Sequence, residues 1–160
     1  QQAQAALQAI RSWVGAAGLK LHPDKTHVGN CMVTGQGFEF LGYRFEAGRR
    51  LVRKKSVQAL RERIRQHTPR TSGESLLRIV AKLNPVLRGW FGYFKHARPS
   101  VFASVDTFVR HRLRSILCKR IDSLHLHRSH ASHRLWPNAF FAELGLFTLY
   151  EARLAASQSR

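Results

Sequence analysis

The sequence predicts an α+β fold, in which a small β-hairpin unit with one helix is followed by a mostly helical bundle. Three observations lead to this prediction. Apolar residues recur at helical spacing near the start of the chain, an aromatic-rich run with turn signals comes next, and amphipathic helical patterns fill most of residues 56–120.

The first predicted element is a helix over residues 3–17, with Gly15 and Gly18 as its stop signal. Its apolar side chains repeat at helical spacing, so we expect the helix to bury one face. These side chains are Leu7, Ile10, Trp13 and Val14.

Extended structure is predicted next. VGNCMV (28–33) and GFEFLGYRF (37–45) are interpreted as strands on either side of a TGQG turn, the second one rich in aromatics. A Glu-Ala-Gly turn at residues 46–48 then leads into RLVRKK. This pattern therefore predicts a β-hairpin over residues 37–55 with a very basic second arm.

Two helices are predicted after the hairpin, each from a cap signal. Ser56 is the expected cap of the first helix, which ends at Pro69. Thr71 and Glu74 have the spacing of a capping box for the second helix. The apolar stripes of the two helices consist of Val57, Leu60 and Ile64, and of Leu76, Leu77, Val80 and Leu83.

The pair Asn84-Pro85 is expected to interrupt the second stripe. Asn84 would cap a new helix with Pro85 at its first position, because a proline further inside removes a helix hydrogen bond. A kinked helix then runs through LRGWFGYF (87–94), and Pro99 opens another helix. The apolar stripe of this last helix consists of Phe102, Val105, Phe108, Val109, Leu113, Ile116 and Leu117.

Beyond Ile121 the sequence becomes polar and rich in histidine before a short apolar ending. The histidines have no cysteine or carboxylate at metal-binding spacing, so no metal site is predicted. We expect a linker that gains charge in mild acid. The histidines are His125, His127, His130 and His133.

The charge of the chain indicates a polyanionic partner. There are 27 Lys and Arg against 9 Asp and Glu, a net charge of +18 with a pI near 11.6. No apolar run approaches the ~20 residues needed to cross a bilayer, so nucleic acid is favoured over a membrane. Residues 44–70 carry ten of the cations and two acidic residues, and a single-sign helix face is favoured chiefly when phosphates neutralise it. The alternative is a merely solvated surface.

The composition also bounds the compartment. Cys31 and Cys118 lie far apart and form no CxxC pair, so neither a disulfide framework nor a zinc module is indicated, and a bacterial-type cytoplasmic compartment fits. The chain opens with QQAQAALQAI, without an initiator Met or a signal core, and is expected to be cut from a longer protein.

Five sequence blocks resemble one protein family. GLKLHPDKT (18–26) and GFEFLGYRF (37–45) are similar to the last two conserved palm blocks of group II intron reverse transcriptases. LNPVLRGWFGYF (83–94) and FASVDTFVRHRLRSILCKR (102–120) resemble the maturase-specific region of that family, and WPNAFFAELGLFTLYEAR (136–153) resembles the ending of many bacterial members. The blocks occur in the family's order.

The resemblance implies four parts of the chain. These are the C-terminal part of the palm with a primer-grip hairpin (1–55), a helical thumb and maturase-specific domain (56–122), a His-rich linker (123–135) and a C-terminal tail (136–160).

The resemblance also implies that the polymerase centre is missing. In the family, a Tyr-Ala-Asp-Asp turn and an upstream Asp hold two divalent metals, a chemistry that needs clustered carboxylates. Here Asp24, Asp106 and Asp122 are isolated, and the turn would precede Gln1. We therefore expect no catalytic residue, metal or cofactor in this chain, which alone would not polymerise, although Mg²⁺ serves the full-length polymerase.

Individual roles follow only from the resemblance. Lys25 matches the lysine near the family's nucleotide site, with a turn-stabilising surface lysine as the alternative. Gly42 belongs to the primer grip, where a missing side chain lets another backbone come close. Arg88 and Trp90 stay open between RNA contact and structure, with the core favoured for Trp90. The expected nucleic-acid contacts are Phe40, Leu41, Gly42, Tyr43, Arg53, Lys54, Lys55, Arg61, Arg65, Arg88, Tyr93, Lys95, Arg110 and Arg114.

Three functions compete. The first is the RNA-binding C-terminal portion of an intron-encoded reverse transcriptase/maturase, with group II intron RNA, an RNA template and a DNA primer as partners and no membrane. The second is a stand-alone basic RNA-binding remnant without an enzymatic role. The third is a DNA-binding module of a mobile element, which equal binding to duplex DNA and structured intron RNA at every salt concentration would favour.

Overall fold

The architecture follows from a computed structural model that describes residues 2–26, 28–121 and 131–158. A small antiparallel sheet is followed by helices, which confirms the α+β prediction. The helices are α1 (Gln2–Ala16), α2 (Lys54–His67), α3 (Leu76–Phe94), α4 (Ser100–Arg120), α5 (Ala131–Leu135), α6 (Asn138–Glu143) and α7 (Leu149–Gln158), with a 3₁₀ turn at Pro23–Lys25. The strands are β1 (Phe38–Phe40), β2 (Tyr43–Glu46) and β3 (Arg49–Val52).

The sheet is a three-stranded meander in the order β1-β2-β3. Two-residue turns join the strands, Leu41-Gly42 and Ala47-Gly48, and all four residues have positive φ between 47° and 78°. This is the backbone of a type I′ turn, whose twist matches that of the flanking strands. The predicted turn at residues 46–48 is therefore present, but the single predicted hairpin is two hairpins that share β2.

Two expectations for the first part of the chain are wrong. Residues 28–33 form turns and irregular backbone where a strand was expected. Helix α1 matches the predicted range, but none of its residues is buried, and Trp13 is 74% exposed. Amphipathic spacing gives a buried face only where other elements cover it, and in the described residues only Leu7 and Val14 of α1 are partly buried.

The starts of α2 and α3 differ from the predicted caps. Helix α2 begins three residues earlier, after Arg53, whose backbone N–H is held by the Gly42 carbonyl at 2.9 Å, so Ser56 lies inside the helix. Helix α3 is capped by Ser75, whose hydroxyl accepts a hydrogen bond from the Arg78 N–H at 3.3 Å. The predicted Thr71–Glu74 box is therefore replaced by a later cap.

Helix α3 continues through Asn84 and Pro85, so the predicted interruption is wrong. The Asn84 side chain makes tertiary bonds instead of a cap: its amide donates to the Gly145 carbonyl, and its carbonyl oxygen accepts from the Phe147 N–H, both at 2.8 Å. Leu77 of the predicted stripe is exposed.

The core lies between α2, α3 and α4 and extends into the C-terminal segment. Phe141, Leu146 and Leu149 are buried in the same cluster as the three long helices, so the predicted tail shares one core with the predicted thumb. The Asp106 carboxylate of α4 accepts hydrogen bonds from the N–H groups of Leu149 at 3.0 Å and Tyr150 at 2.9 Å. A carboxylate at a helix N-terminus satisfies otherwise unpaired donors, so α7 is fixed on α4.

Candidate nucleic-acid interface

The β1-β2 hairpin is joined to the end of α3 by a reciprocal pair of tyrosine hydrogen bonds. The Tyr43 hydroxyl donates to the Tyr93 carbonyl at 2.7 Å, and the Tyr93 hydroxyl donates to the Leu41 carbonyl at 2.9 Å. The two rings stack with centroids 6.3 Å apart. The hairpin is thereby held in one orientation on the helical part, with burial raising the pKa of Tyr43.

Four hairpin residues were predicted to grip nucleic acid. The apolar tip is open, since Phe40 is 59% and Leu41 64% exposed, whereas Tyr43 is half-buried. Gly42 has φ +78°, and a Cβ there would lie 3.2 Å from the Phe94 ring and 3.3 Å from the Ser56 hydroxyl. The close approach at this glycine thus comes from side chains of α2 and α3, and not from a neighbouring backbone.

A basic groove of about 710 Å³ lies on the other side of the sheet from the tyrosine pair. The three strands form one wall, and the first turn of α2, the α3–α4 link (residues 95–99) and the start of α4 form the rest. We call it the sheet-side groove. Its charged lining residues are Glu39, Arg44, Glu46, Arg53, Lys54, Lys55 and Arg98.

Both carboxylates of the sheet-side groove are already paired. Arg44 binds Glu46 at 2.8 Å, and Arg53 binds Glu39 at 2.8 Å. The hydrogen bonds from Arg44 and from the Gly35 N–H lower the pKa of Glu46 to about 2. Each of these ion pairs is electrically neutral overall, so the uncompensated charge of the groove resides on the remaining three cations.

Lys54, Lys55 and Arg98 are these three cations, and none has an ion-pair partner within the described ranges. Lys54 and Lys55 occupy the first turn of α2, which has no acidic residue and no side-chain cap. The positive end of the helix dipole lies there, so two lysines at this position repel it unless an anion is bound. The groove is therefore suited to phosphate groups.

The two α2 arginines predicted to face RNA are half-buried. Arg61 and Arg65 place their guanidinium groups 5.3 and 5.4 Å from the Phe108 ring centroid, and Arg61 also donates to the Ser104 hydroxyl at 3.2 Å. Arg65 pairs with Glu62 at 3.0 Å. These side chains join α2 to α4 while part of each remains accessible.

Arg114, which was predicted as a nucleic-acid contact, is buried. It is only 5% exposed, and it donates to the Trp136 carbonyl and to the Asn138 side-chain oxygen, both at 2.9 Å. Burial lowers the pKa of its guanidinium. This side chain anchors the C-terminal segment to α4 and leaves little of its surface accessible.

The other predicted contacts are spread over the surface. Arg88 is exposed and lies 4.8 Å above the Phe147 ring, Lys95 is exposed at the end of α3, and Arg110 is half-buried on α4. Trp90 is half-buried and packs against the core, as favoured. Lys25 lies in the 3₁₀ turn beside β1, away from the sheet-side groove.

The predicted histidine set can be followed only in part. His133 lies on α5, while His125, His127 and His130 fall outside the described residues, as do Asp122 and most of the predicted linker. Within the ranges that the structure describes, no group of three or more His, Cys, Asp or Glu side chains is arranged to hold a metal ion. In the same ranges, none of the helices combines the length and apolarity that crossing a bilayer requires.

Several charged residues with tertiary roles were missed by sequence reasoning. Arg98 was overlooked because it precedes Pro99 outside any basic helix face, yet its N–H binds the Arg50 carbonyl at 2.9 Å and adds the α3–α4 link to β3. Asp106 was read only as an isolated acid, although an Asp within an apolar stripe is a signal of a buried cap.

Comparison with known proteins gives one assignment. No curated protein sequence matches the chain. Residues 57–136 match the maturase-specific domain of group II introns, a span that contains α3, α4, all of α2 after its first three residues, and the bond from Arg114 to Trp136. The match covers half of the chain and supports a maturase role in group II intron splicing. The chain therefore belongs to the family of proteins that carry the group II intron maturase-specific domain.

Proposed function

We propose that this chain is the RNA-binding C-terminal portion of a group II intron-encoded reverse transcriptase/maturase. It would bind intron RNA during splicing, and the full-length protein would also act in retromobility as an RNA-directed DNA polymerase on an RNA template and a DNA primer. Intron RNA in a bacterial-type cytoplasm is the expected setting.

The observation that carries this proposal is the set of three unpaired cations in the sheet-side groove. Lys54, Lys55 and Arg98 converge from α2 and the α3–α4 link next to the exposed hairpin tip. An A-form duplex presents proteins mostly with phosphates and 2′-hydroxyls, which cations on a helix end and a sheet edge are suited to contact. The maturase-specific domain begins at residue 57, immediately after these lysines.

A second function keeps the same surface without the enzyme. A stand-alone RNA-binding remnant would use the same three groove cations, Lys54, Lys55 and Arg98, without any polymerase chemistry. The reading frame upstream of Gln1 distinguishes the two. An in-frame Tyr-Ala-Asp-Asp turn supports the polymerase, and a start codon without that turn contradicts it.

RNA binding is tested by neutralising the groove in the 160-residue chain. We expect Lys54→Gln, Lys55→Gln and Arg98→Gln together to weaken binding to structured intron RNA about 10-fold or more and to lower the slope of log affinity against log salt by about 2 to 3. Affinity is measured by filter binding between low and physiological salt. The slope matters because it counts the phosphates that the side chains neutralise.

The matched control is the triple variant Arg63→Gln, Arg78→Gln and Lys119→Gln, which removes the same charge from exposed positions outside the groove. It should lose much less affinity. Equal losses in both triple variants would show that net charge alone attracts RNA. Equal affinity of the unaltered chain for duplex DNA and intron RNA would instead favour a DNA-binding module.

A further inference from the structure

A second basic pocket lies on the opposite face of the sheet from the sheet-side groove. It has a volume of about 470 Å³, and its lining residues come from β3, the α3–α4 link and α7. We call it the α7 pocket. Its lining consists of Arg50, Lys95, His96, Arg153, Ala156 and Ser157.

The strand register explains why two basic sites share one sheet edge. Arg50 is opposite Phe45, so its side chain lies on the face of the aromatic residues, whereas Leu51 is opposite Arg44 on the face of the sheet-side groove. The α3–α4 link is bonded to β3 through the Arg98 N–H and the Arg50 carbonyl. The link therefore supplies Arg98 to one face and Lys95 to the other.

The α7 pocket is built only of neutral and basic groups. No carboxylate is among its lining residues in the described part of the chain. The Nε of Arg153 is buried and has no hydrogen-bond partner there. The cations Arg50, Lys95 and Arg153 repel one another around the pocket, so a bound anion would relieve this repulsion.

Two other arginines of the helical core find their acceptors within the protein. Arg112 donates to the Thr68 hydroxyl and carbonyl, and Arg120 donates to the Ser72 and Glu74 carbonyls. In those cases the protein provides the acceptors. The Nε of Arg153, like that of Arg61, has no acceptor among the described residues.

We infer that the α7 pocket binds a phosphate group of an RNA strand, as a second contact on the far side of the sheet from the groove. This rests on the proposed RNA-binding function and deepens it. With one contact on each face of the sheet, a bound RNA would pass over the β3 edge, which the α3–α4 link covers.

The pocket itself is tested with inorganic phosphate. In the 160-residue chain with ¹⁵N-labelled arginine, we expect the Arg153 Nε–H resonance to shift saturably on addition of phosphate. Chloride at the same ionic strength is the control and should leave the resonance nearly unchanged, because it cannot offer several oxygen acceptors. An unshifted resonance in phosphate, or the same shift in chloride, would overturn the inference.

The RNA contact is tested separately from the groove. Arg50→Gln together with Arg153→Gln should lower the salt slope of intron RNA binding by about 1, the value for one lost phosphate contact. The control Arg63→Gln and Arg78→Gln removes the same charge elsewhere, and circular dichroism checks that the fold is kept. An unchanged slope in the pocket variant, with a reduced slope in the groove variant, refutes the inference and leaves the proposed function standing. If the groove variant also keeps its slope, the proposed function fails.

Discussion

Helix α4 and the sheet-side groove contain the same types of basic residue and use them in opposite ways. The α4 residues Arg112, Arg114 and Arg120 donate to oxygens of other segments, 22 to 48 residues away in sequence. Lys54 and Lys55 of the groove make no such bonds in the described chain. The comparison teaches that a basic side chain near the core is a structural crosslink where protein oxygens converge on it, and a ligand contact where they do not.

The largest expected effect is at Arg114. Substituting Met keeps most of the side-chain volume but leaves the Trp136 carbonyl and the Asn138 oxygen without their donor, so we expect a loss of about 2–3 kcal/mol in the free energy of unfolding. Urea denaturation measures it. Lys119→Met, at an exposed position on the same helix, should change stability by less than about 0.5 kcal/mol. Equal effects of the two substitutions would remove the distinction between crosslink and surface cation.

The second prediction tests whether Asp106 of α4, which binds the N-terminus of α7, is also a structural crosslink. Asp106→Ala removes both acceptors of the α7 N-terminus and should cost about 1–2 kcal/mol of unfolding free energy in urea. Asp106→Asn keeps one acceptor, so its loss should be smaller. Equal losses would mean that the carboxylate geometry does not matter for α7.

The contribution of Asp106 to stability should also depend on pH, in a direction set by its pKa. Burial raises the pKa of Asp106 above its ordinary value, so the folded state holds the proton more tightly than the unfolded state. The contribution of this group to stability is therefore fully present in acid below the ordinary pKa and is lost as pH rises through the raised pKa. We expect the unfolding free energy of the unaltered chain, relative to Asp106→Asn, to fall over that range. A rise would contradict the assignment of burial as the dominant cause.

A third, smaller effect concerns two residues that combine both behaviours. Arg61→Ala with Arg65→Ala removes two guanidinium contacts with the Phe108 ring, so we expect a loss of about 1 kcal/mol and a weaker affinity for intron RNA. Arg63→Ala on the exposed side of α2 is the control, and should lower RNA affinity less without a measurable change in stability. Unchanged stability in the double variant would make both residues purely surface cations.

These contrasts mark what the sequence could predict. The periodicity of α2 and α4, the stop at Pro69 and the Ala47-Gly48 turn are local signals, and each is present in the structure. The hydrogen bond from Arg114 to the Trp136 carbonyl joins segments 22 residues apart. The spacing of residues in α4 does not indicate which basic side chain makes such a bond.

The predicted interruption at Asn84-Pro85 was wrong for the same reason. The Asn84 side chain could have capped a new helix, but it instead makes two tertiary hydrogen bonds to the segment around Gly145.

In the candidate interface, the lysines at residues 54 and 55 were predictable from the charge pattern. Arg98 and the α7 pocket were not, because they depend on which segment packs beside β3.

The smallest expected effect is at Glu46, an acid of the groove that is already satisfied. Its pKa of about 2 reflects bonds from Arg44 and from the Gly35 N–H, so its contribution to stability is present above the ordinary carboxyl pKa and is lost as pH falls towards 2. A ¹³C-detected titration of its carboxyl group should therefore have a midpoint near 2.

Arg44→Gln should raise the midpoint of the Glu46 titration towards the ordinary carboxyl value, because it removes the hydrogen bond that lowers the pKa most. Arg49→Gln is the control on the neighbouring strand and should leave it in place. An ordinary midpoint in the unaltered chain would mean that Arg44 does not pair with Glu46. Arg44 would then be available to phosphates together with the three groove cations.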